Sequence, residues 1–208
     1  SVEPFSVRDQ IRRKKNSRKL QGMEYLKQIG QLNPPYVFWS ALGLFVIIFF
    51  RYLIFSWIYH LFFHRWLKDK FRHRLLSLTK LKSKQVKKEI YSSAISAAIF
   101  TLLGMGVIIL WQRGYTAIYT NFDTYPIWYS VLSVVLVLLI QDTFYYWLHR
   151  WMHIPPFYKW VHKEHHMSLQ TSAFTSFSFH PLESFLQAIV LPVLVLWLPL
   201  HIGVILAI

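Results

Sequence analysis

Three apolar stretches dominate the sequence, and each is long enough to cross a lipid bilayer as a helix. They cover residues 36–63, 90–112 and 127–148. A helix rises about 1.5 Å per residue, so about 20 residues cross a hydrocarbon core of roughly 30 Å. A fourth apolar stretch fills most of 182–208. The sequence therefore predicts an all-α, polytopic membrane helical bundle of about four transmembrane segments, with a cytosolic histidine-rich cap.

The positive charges indicate which side of the membrane each loop faces. The formal net charge is +14, and the Lys and Arg residues cluster at 8–19 and 65–88, beside apolar stretches. Such residues contact anionic headgroups, so nucleic-acid binding is not predicted. The strongly basic loop 64–89 is typical of the cytosolic side, whereas loop 113–126 is short and nearly neutral. The third segment then returns the chain to the cytosolic side.

The basic N-terminal residues disagree with this arrangement, because a single crossing by 36–63 would place them on the opposite side. A simple crossing and a re-entrant first segment both stay open. The sequence also stops within an apolar stretch, so we expect the natural protein to continue beyond Ile208. The predicted parts are a basic N-terminal arm (1–35), the first transmembrane segment (36–63), a basic cytosolic loop (64–89), the second transmembrane segment (90–112), a non-cytosolic loop (113–126), the third transmembrane segment (127–148), a histidine-rich metal-binding region (149–181), and a fourth transmembrane segment with the start of a return (182–208).

Histidines are concentrated directly after the third apolar stretch. The first two are four residues apart, which places both imidazoles on one face of a helix. Two prolines then end that helix, and three more histidines follow at i, i+3 and i+4 spacing, again on one face. Two such faces brought together would present five imidazoles to one volume, which predicts a metal site. The five are His149, His153, His162, His165 and His166.

Nearby carboxylates are candidates to support these imidazoles. A ligating imidazole needs its second nitrogen held, usually by a carboxylate. Asp142 and Glu183 are the predicted supporting residues, whereas Glu164 points away from the neighbouring histidine face. His60 and His64 also have four-residue spacing, but one such pair alone is a weak indication of metal.

The available ligand types do not identify the metal, but the number of histidines indicates how many ions the site holds. The chain has no cysteine, so imidazole and carboxylate are the available ligands. Imidazole suits zinc, copper, iron and nickel alike. More histidines are present than the four ligands of a structural zinc site, which favours two ions, or one ion with surplus ligands. A two-metal site that opens toward lipid suits oxygen activation on a C–H bond.

Several segments resemble the membrane di-iron fatty acid hydroxylase/sterol desaturase superfamily. The resemblance extends over about 85–200 and implies four membrane helices beneath a cytosolic histidine cap. It also implies two non-haem iron ions, O2 and an external electron donor, either a b-type cytochrome or a ferredoxin with its reductase. The matching residues are Asp142-Thr-Phe-Tyr-Tyr-Trp-Leu-His-Arg150, Trp151-Met-His153, Pro156, Tyr158, His162-Lys-Glu-His-His166 and Phe179-His-Pro-Leu-Glu183.

By this resemblance the five clustered histidines are iron ligands and catalytic residues. His180 is a further ligand in part of the superfamily, and Asp142 supports the ligands from behind. The superfamily carries a third histidine cluster that this sequence does not reach, so we expect these 208 residues to hold an incomplete site. The implied reaction is hydroxylation or desaturation of a lipid or sterol C–H bond, and Phe179–Glu183 favours the sterol desaturase side.

The resemblance also implies an integral membrane protein whose active site faces the cytosol, in the endoplasmic reticulum of a eukaryote or the inner membrane of a bacterium. Two alternatives remain. A histidine-rich metal transporter would need ionisable residues deep within several spans, and only Arg51 clearly qualifies. A catalytically inactive family member is the other.

Overall fold

The computed structural model describes residues 34–67, 70, 82–166 and 171–207. The side chains of Pro34, His64, Glu164 and His165 are outside the described part. The predicted N-terminal arm, apart from its last two residues, and half of the basic loop also lie outside the described residues. Within the described residues the chain is helical and forms no β-strand.

Three long helices form the body of the protein. They are α1 (Pro34–Leu61), α2 (Ser83–Gln112) and α3 (Ile127–Met152). Their mean hydropathies over the most apolar window are 2.1, 2.3 and 1.8, and each is long enough to cross a membrane. The predicted all-α membrane bundle is thereby confirmed.

Two of these helices extend past the apolar stretches that predicted them. α2 begins at Ser83 because the Lys and Gln residues before Ile90 are good helix formers. α3 continues beyond Leu148 to Met152, so His149 lies on the same rigid helix as the apolar segment. The positions at which these helices enter and leave the membrane stay a prediction.

The remaining helices are short. The predicted fourth segment is divided at Ile189 into two helices that together cover Pro181–Trp197, fewer residues than any of the long helices. Pro192 explains the break, because a proline clashes with the carbonyl four residues earlier, here that of Ala188. The short helices are α4 (Pro155–Phe157), α5 (Lys163–His166), α6 (Pro181–Ala188), α7 (Val190–Trp197) and α8 (Ile202–Ala207), with π-helical turns at Phe62–Trp66 and Tyr158–His162 and 3-10 turns at Phe122–Thr124 and Ala173–Phe177.

Small residues allow α1 and α2 to pack closely. The buried residues Ser93, Ala97 and Thr101 follow one another at four-residue spacing along α2. A Cβ added at Gly104 would lie 2.8 Å from Cδ2 of Leu44 on α1. A larger residue there would require the end of the Leu44 side chain to move, so the glycine lets Leu44 pack against α2, as small residues do in membrane helix pairs.

Two apolar clusters lie toward opposite ends of α3. One contains Val137, Val195, Leu200 and Val204, and it joins α3 to α7 and α8. The other contains Leu148, Met152 and Val161, with Leu186 packed against it. The second cluster fixes the end of α3 against the helical segment that carries the remaining histidines.

Candidate metal centre

The first two histidines lie one turn apart at the end of α3. Their Nε2 atoms are 3.1 Å apart, and their ring centroids are separated by 4.8 Å. Leu148 and Met152, each one position earlier, are buried in the apolar cluster. Burial of that face fixes the rotation of α3, and the same rotation places His149 and His153 side by side at the rim of the cluster.

The next histidines arrive because the chain reverses direction after α3. Pro155 and Pro156 start a new helical segment, which continues through the π-helical turn Tyr158–His162 into α5. Val161 in that turn packs against the buried end of α3. The sequence predicts that the two prolines end the preceding helix; the structure also places them at the start of the next segment, which contains a π-helical turn.

Four imidazoles thereby converge. The ring centroids of His149 and His162 are 4.6 Å apart, those of His162 and His166 are 4.6 Å apart, and those of His153 and His166 are 5.0 Å apart. One nitrogen from each of the four rings lies within 4.8 Å of the other three. Of these rings, that of His162 is buried and the other three are exposed.

The arrangement fits a metal ion. Two nitrogens bound to one ion at about 2.0–2.1 Å are at most about 4.2 Å apart. The separations of up to 4.8 Å between the four candidate atoms therefore need only small side-chain movements to close around one ion. The 3.1 Å approach of the two Nε2 atoms of His149 and His153 is also the spacing expected of neighbouring ligands.

A carboxylate supports the buried imidazole from behind. Oε2 of Glu183 lies 3.2 Å from Nδ1 of His162, and both side chains are almost completely buried. Nε2 of Gln187 donates to Oε1 of the same carboxylate at 3.2 Å. A proton held on Nδ1 leaves Nε2 of His162 as the nitrogen that can bind a metal, which is the usual arrangement at metal sites.

The other predicted supporting residue, Asp142, lies elsewhere. It is exposed on α3, seven residues before His149, which is about 10 Å along the helix axis. The rise of the helix therefore separates Asp142 from His149, although both residues are on α3. A role for Asp142 stays a prediction.

The two remaining predicted ligands differ in status. The backbone of His165 belongs to α5, but its side chain is outside the described part. His180 is not in the cluster that the described residues form. Its Nδ1 accepts a hydrogen bond from the backbone N–H of Leu182 at 3.3 Å and thereby caps α6. A neutral imidazole that accepts at Nδ1 carries its proton on Nε2, so in this conformation His180 acts as a helix cap, and a ligand role for it stays a prediction.

An open cavity of about 560 Å³ lies beside the cluster, between the end of α3 and α6. His149 and Met152 contribute to its wall, so the imidazole cluster is reachable from this side. The cavity is lined by Tyr145, Tyr146, Leu148, His149, Arg150, Met152 and Gln187.

Two further polar residues were not predicted from the sequence to form contacts around the site. Gln187 lies one turn after Glu183, and this spacing could have suggested the pair. Glu89 is 2% exposed and accepts hydrogen bonds from Ser172 and Thr175, which lie more than eighty residues away in sequence. An acidic residue directly before an apolar stretch was the available signal.

Comparison with known proteins gives a consistent result. Residues 134–208 match the family model described as fatty acid hydroxylase. The chain is 32% identical over 131 residues to a Delta(7)-sterol 5(6)-desaturase, ERG3B, of Gibberella zeae, covering 63% of this chain and 41% of that protein. It is 30% identical over 133 residues to the lathosterol oxidase of Homo sapiens, covering 63% of this chain and 44% of that protein.

The chain thus spans about two fifths of the length of these two relatives. No solved structure matches it. The matched region contains the whole histidine cluster and Glu183, the residues on which the resemblance was based. The part of the chain that contains the histidine cluster is therefore similar to the fatty acid hydroxylase family and to these two relatives.

Proposed function

We propose that the protein is a membrane-bound oxidoreductase that uses O2 and two non-haem iron ions to hydroxylate or desaturate a C–H bond of a lipid or sterol. The observation that carries this proposal is the convergence of four imidazoles, one of them held by a buried carboxylate. Imidazole and carboxylate suit iron, and similarity to the fatty acid hydroxylase family favours iron over the other metals that imidazole binds.

The residues of the chain have separate roles in this proposal. His149, His153, His162 and His166 would hold metal through the nitrogens that converge, and His165 is the further proposed ligand toward a second ion. Bound iron would supply the reduction of O2 and the oxidation of the C–H bond. Glu183 would keep the proton of His162 on Nδ1, so that Nε2 stays oriented toward the metal.

The substrate would reach the histidines from the bilayer through the cavity beside His149. The cavity wall is mainly apolar at Leu148 and Met152, while Tyr145 and Gln187 provide polar groups at α3 and α6. A volume of about 560 Å³ accommodates a lipid segment or a sterol ring system. Both named relatives act on sterols, which favours a sterol over a fatty acyl chain as the substrate class.

The reaction needs two electrons for each O2, because only part of the oxidising power of O2 is used on the substrate. We propose an external donor on the cytosolic side, a b-type cytochrome or a ferredoxin with its reductase. Exposed lysines at the start of α2, Lys84, Lys87 and Lys88, support this orientation by the preference of positive residues for the cytosolic side. The membrane would be the endoplasmic reticulum of a eukaryote or the inner membrane of a bacterium.

A metal transporter is the competing function. It requires ionisable residues that face the interior of the bundle in mid-span. Its strongest candidate, Arg51, is exposed on α1, which does not support a transport path.

The proposal is tested by the lipid products of cells that make the natural full-length protein. We expect oxidised or desaturated sterols or lipids with the wild type, and none with His153→Ala or His162→Ala. Lys163→Ala is the matched control, because Lys163 is exposed and adjacent to His162. Unchanged products in both histidine variants, with the proteins present at wild-type levels, would exclude the proposed activity of this site.

A further inference from the structure

A second buried carboxylate, Glu89 on α2, lies outside the histidine cluster and has no role in the function proposed above. Its oxygens accept three hydrogen bonds. Oε1 accepts from Nε2 of Gln85 at 2.8 Å and from Oγ1 of Thr175 at 3.0 Å, and Oε2 accepts from Oγ of Ser172 at 2.9 Å. Glu89 is 2% exposed.

Burial of this carboxylate is favourable only because these donors replace water. An unpaired buried carboxylate would cost several kcal/mol, whereas hydrogen bonds to charged acceptors are among the stronger ones in proteins. The donors come from two parts of the chain, one on α2 itself and two on the segment after the histidines. The arrangement therefore links α2 to that segment.

The same two donors shape the turn to which they belong. Ser172 and Thr175 form a reciprocal capping box at the start of the 3-10 turn Ala173–Phe177. Oγ of Ser172 accepts from the backbone N–H of Phe174 while its proton is directed to Glu89. Glu89 therefore fixes the orientation of the hydroxyl groups that start the turn.

α1 holds the other side of this turn. The hydroxyl of Tyr52 donates to the carbonyl of Phe174 at 2.8 Å, and the hydroxyl of Ser56 donates to the carbonyl of Ala173 at 3.0 Å. The turn is thereby fixed from two membrane helices rather than from its own neighbours alone.

α2 contacts the chain a second time, beyond the turn. The hydroxyls of Ser96 and Ser184 are 2.8 Å apart, and both residues are fully buried. Ser184 directly follows Glu183, the residue whose carboxylate contacts His162. Glu183 thus lies between two attachments to α2, at Glu89 and at Ser96.

We propose that Glu89 is a positioning residue of the metal centre. Its carboxylate holds the turn 173–177 through hydrogen bonds from Ser172 and Thr175. That turn keeps Glu183 in contact with Nδ1 of His162. The proposal rests on the proposed function only in requiring that the histidine cluster binds metal. Both attachments are on α2, which has no residue in the described histidine cluster. This helix therefore contributes to the geometry of the cluster indirectly.

Glutamine is not expected to reproduce the hydrogen bonds of Glu89. A carboxylate presents acceptors to all three donors, whereas a glutamine amide must turn its NH2 group toward some of them. If the NH2 group faces Ser172, the serine hydroxyl accepts from both that group and the N–H of Phe174, and its own proton loses the carboxylate acceptor. Glu89→Gln therefore disrupts the network with almost no change in side-chain volume.

The test is a double-mutant cycle on metal loss from the purified full-length protein. The first-order rate of metal transfer to an excess of chelator is measured for the wild type, Glu89→Gln, Glu183→Gln and the double variant. Loss of a supporting partner typically weakens metal binding about 10–100-fold, so we expect about a 10-fold faster loss for Glu89→Gln. The double variant should lose metal no faster than Glu183→Gln, because both changes release the same contact.

Thr101→Val is the matched control on the same helix. Thr101 is a buried polar residue, 5% exposed, whose hydroxyl donates to Ala97 within α2. We expect wild-type metal loss from this variant. Metal loss within twofold of the wild type for folded Glu89→Gln, or multiplicative effects in the double variant, would overturn the proposal.

A second measurement covers the metal-free protein. Hydrogen–deuterium exchange at 173–186 should be faster in Glu89→Gln than in the wild type and unchanged in Thr101→Val. If exchange at 173–186 is unaltered in Glu89→Gln, the positioning role is excluded. A wild type that binds metal but forms no lipid product would instead exclude the proposed function and leave the positioning role intact.

Discussion

Oε2 of Glu183 lies 3.2 Å from Nδ1 of His162, and the two side chains are 1% and 0% exposed. The contact joins the segment after α3 to α6. It fixes the orientation of the buried His162 imidazole within the cluster. The other three imidazoles are exposed, so a metal ion can reach them.

Glu183→Gln tests the importance of this contact. The amide keeps the volume but is a weaker acceptor for the proton on Nδ1 of His162. We expect metal affinity to fall about 10–100-fold, as for other supporting carboxylates. The measurement is competitive titration against a chelator, with Thr101→Val as the control, because the Thr101 hydroxyl bonds only within α2. An affinity equal to that of the wild type would contradict the supporting role.

Substitutions at His180 separate a ligand from a helix cap. Asparagine is a favourable N-cap residue and alanine is not. We expect His180→Asn to retain wild-type metal content and stability, and His180→Ala to lose about 1 kcal/mol of stability without losing metal. Metal analysis and thermal unfolding of the two variants check this. Loss of metal in His180→Asn would show that His180 is a ligand, as the sequence resemblance implied.

The packing of α1 on α2 is tested at two glycines. A Cβ at Gly104 would meet Cδ2 of Leu44, whereas a Cβ at Gly106 would meet no described atom within 4 Å. Alanine in a helix interior is favoured over glycine by roughly 0.5–1 kcal/mol. We therefore expect Gly106→Ala to raise thermal stability, and Gly104→Ala to fall about 1–2 kcal/mol below it because Leu44 must move.

A second change confirms the cause. In Leu44→Ala protein the obstructing methyl group is absent, so the difference between the two glycine variants should shrink. A difference that is unchanged by Leu44→Ala would show that the packing of α1 on α2 is not its source.

Local spacing predicted the part of the site that lies on one helix. The four-residue separation of His149 and His153 is a property of any helix, and the structure places their Nε2 atoms 3.1 Å apart. Local spacing did not show how far the helix rise of about 10 Å separates Asp142 from His149, and a role for Asp142 stays a prediction. Glu183, the other predicted supporting residue, lies on a different helix and contacts His162.

The remainder of the site depends on tertiary packing that no local pattern reveals. The second group of histidines reaches the first because Val161 packs against Leu148 and Met152 through a π-helical turn. Likewise, Glu89 meets Ser172 across 83 positions of sequence. Pro192 was a local signal for the division of the fourth apolar stretch at Ile189. The continuous hydropathy of the stretch instead predicted one unbroken segment.

The central claim is that the converging histidines hold iron, and it is tested most directly by the metal content of the protein. The full-length protein would be purified from membranes, and iron, zinc, copper and nickel would be measured per polypeptide. The variants are a combined His149→Ala and His153→Ala protein and the Lys163→Ala control. The account predicts bound iron in the wild type and the control, and a loss of at least one iron ion per polypeptide in the histidine variant. Equal iron in all three proteins, or no transition metal in the wild type, would contradict it.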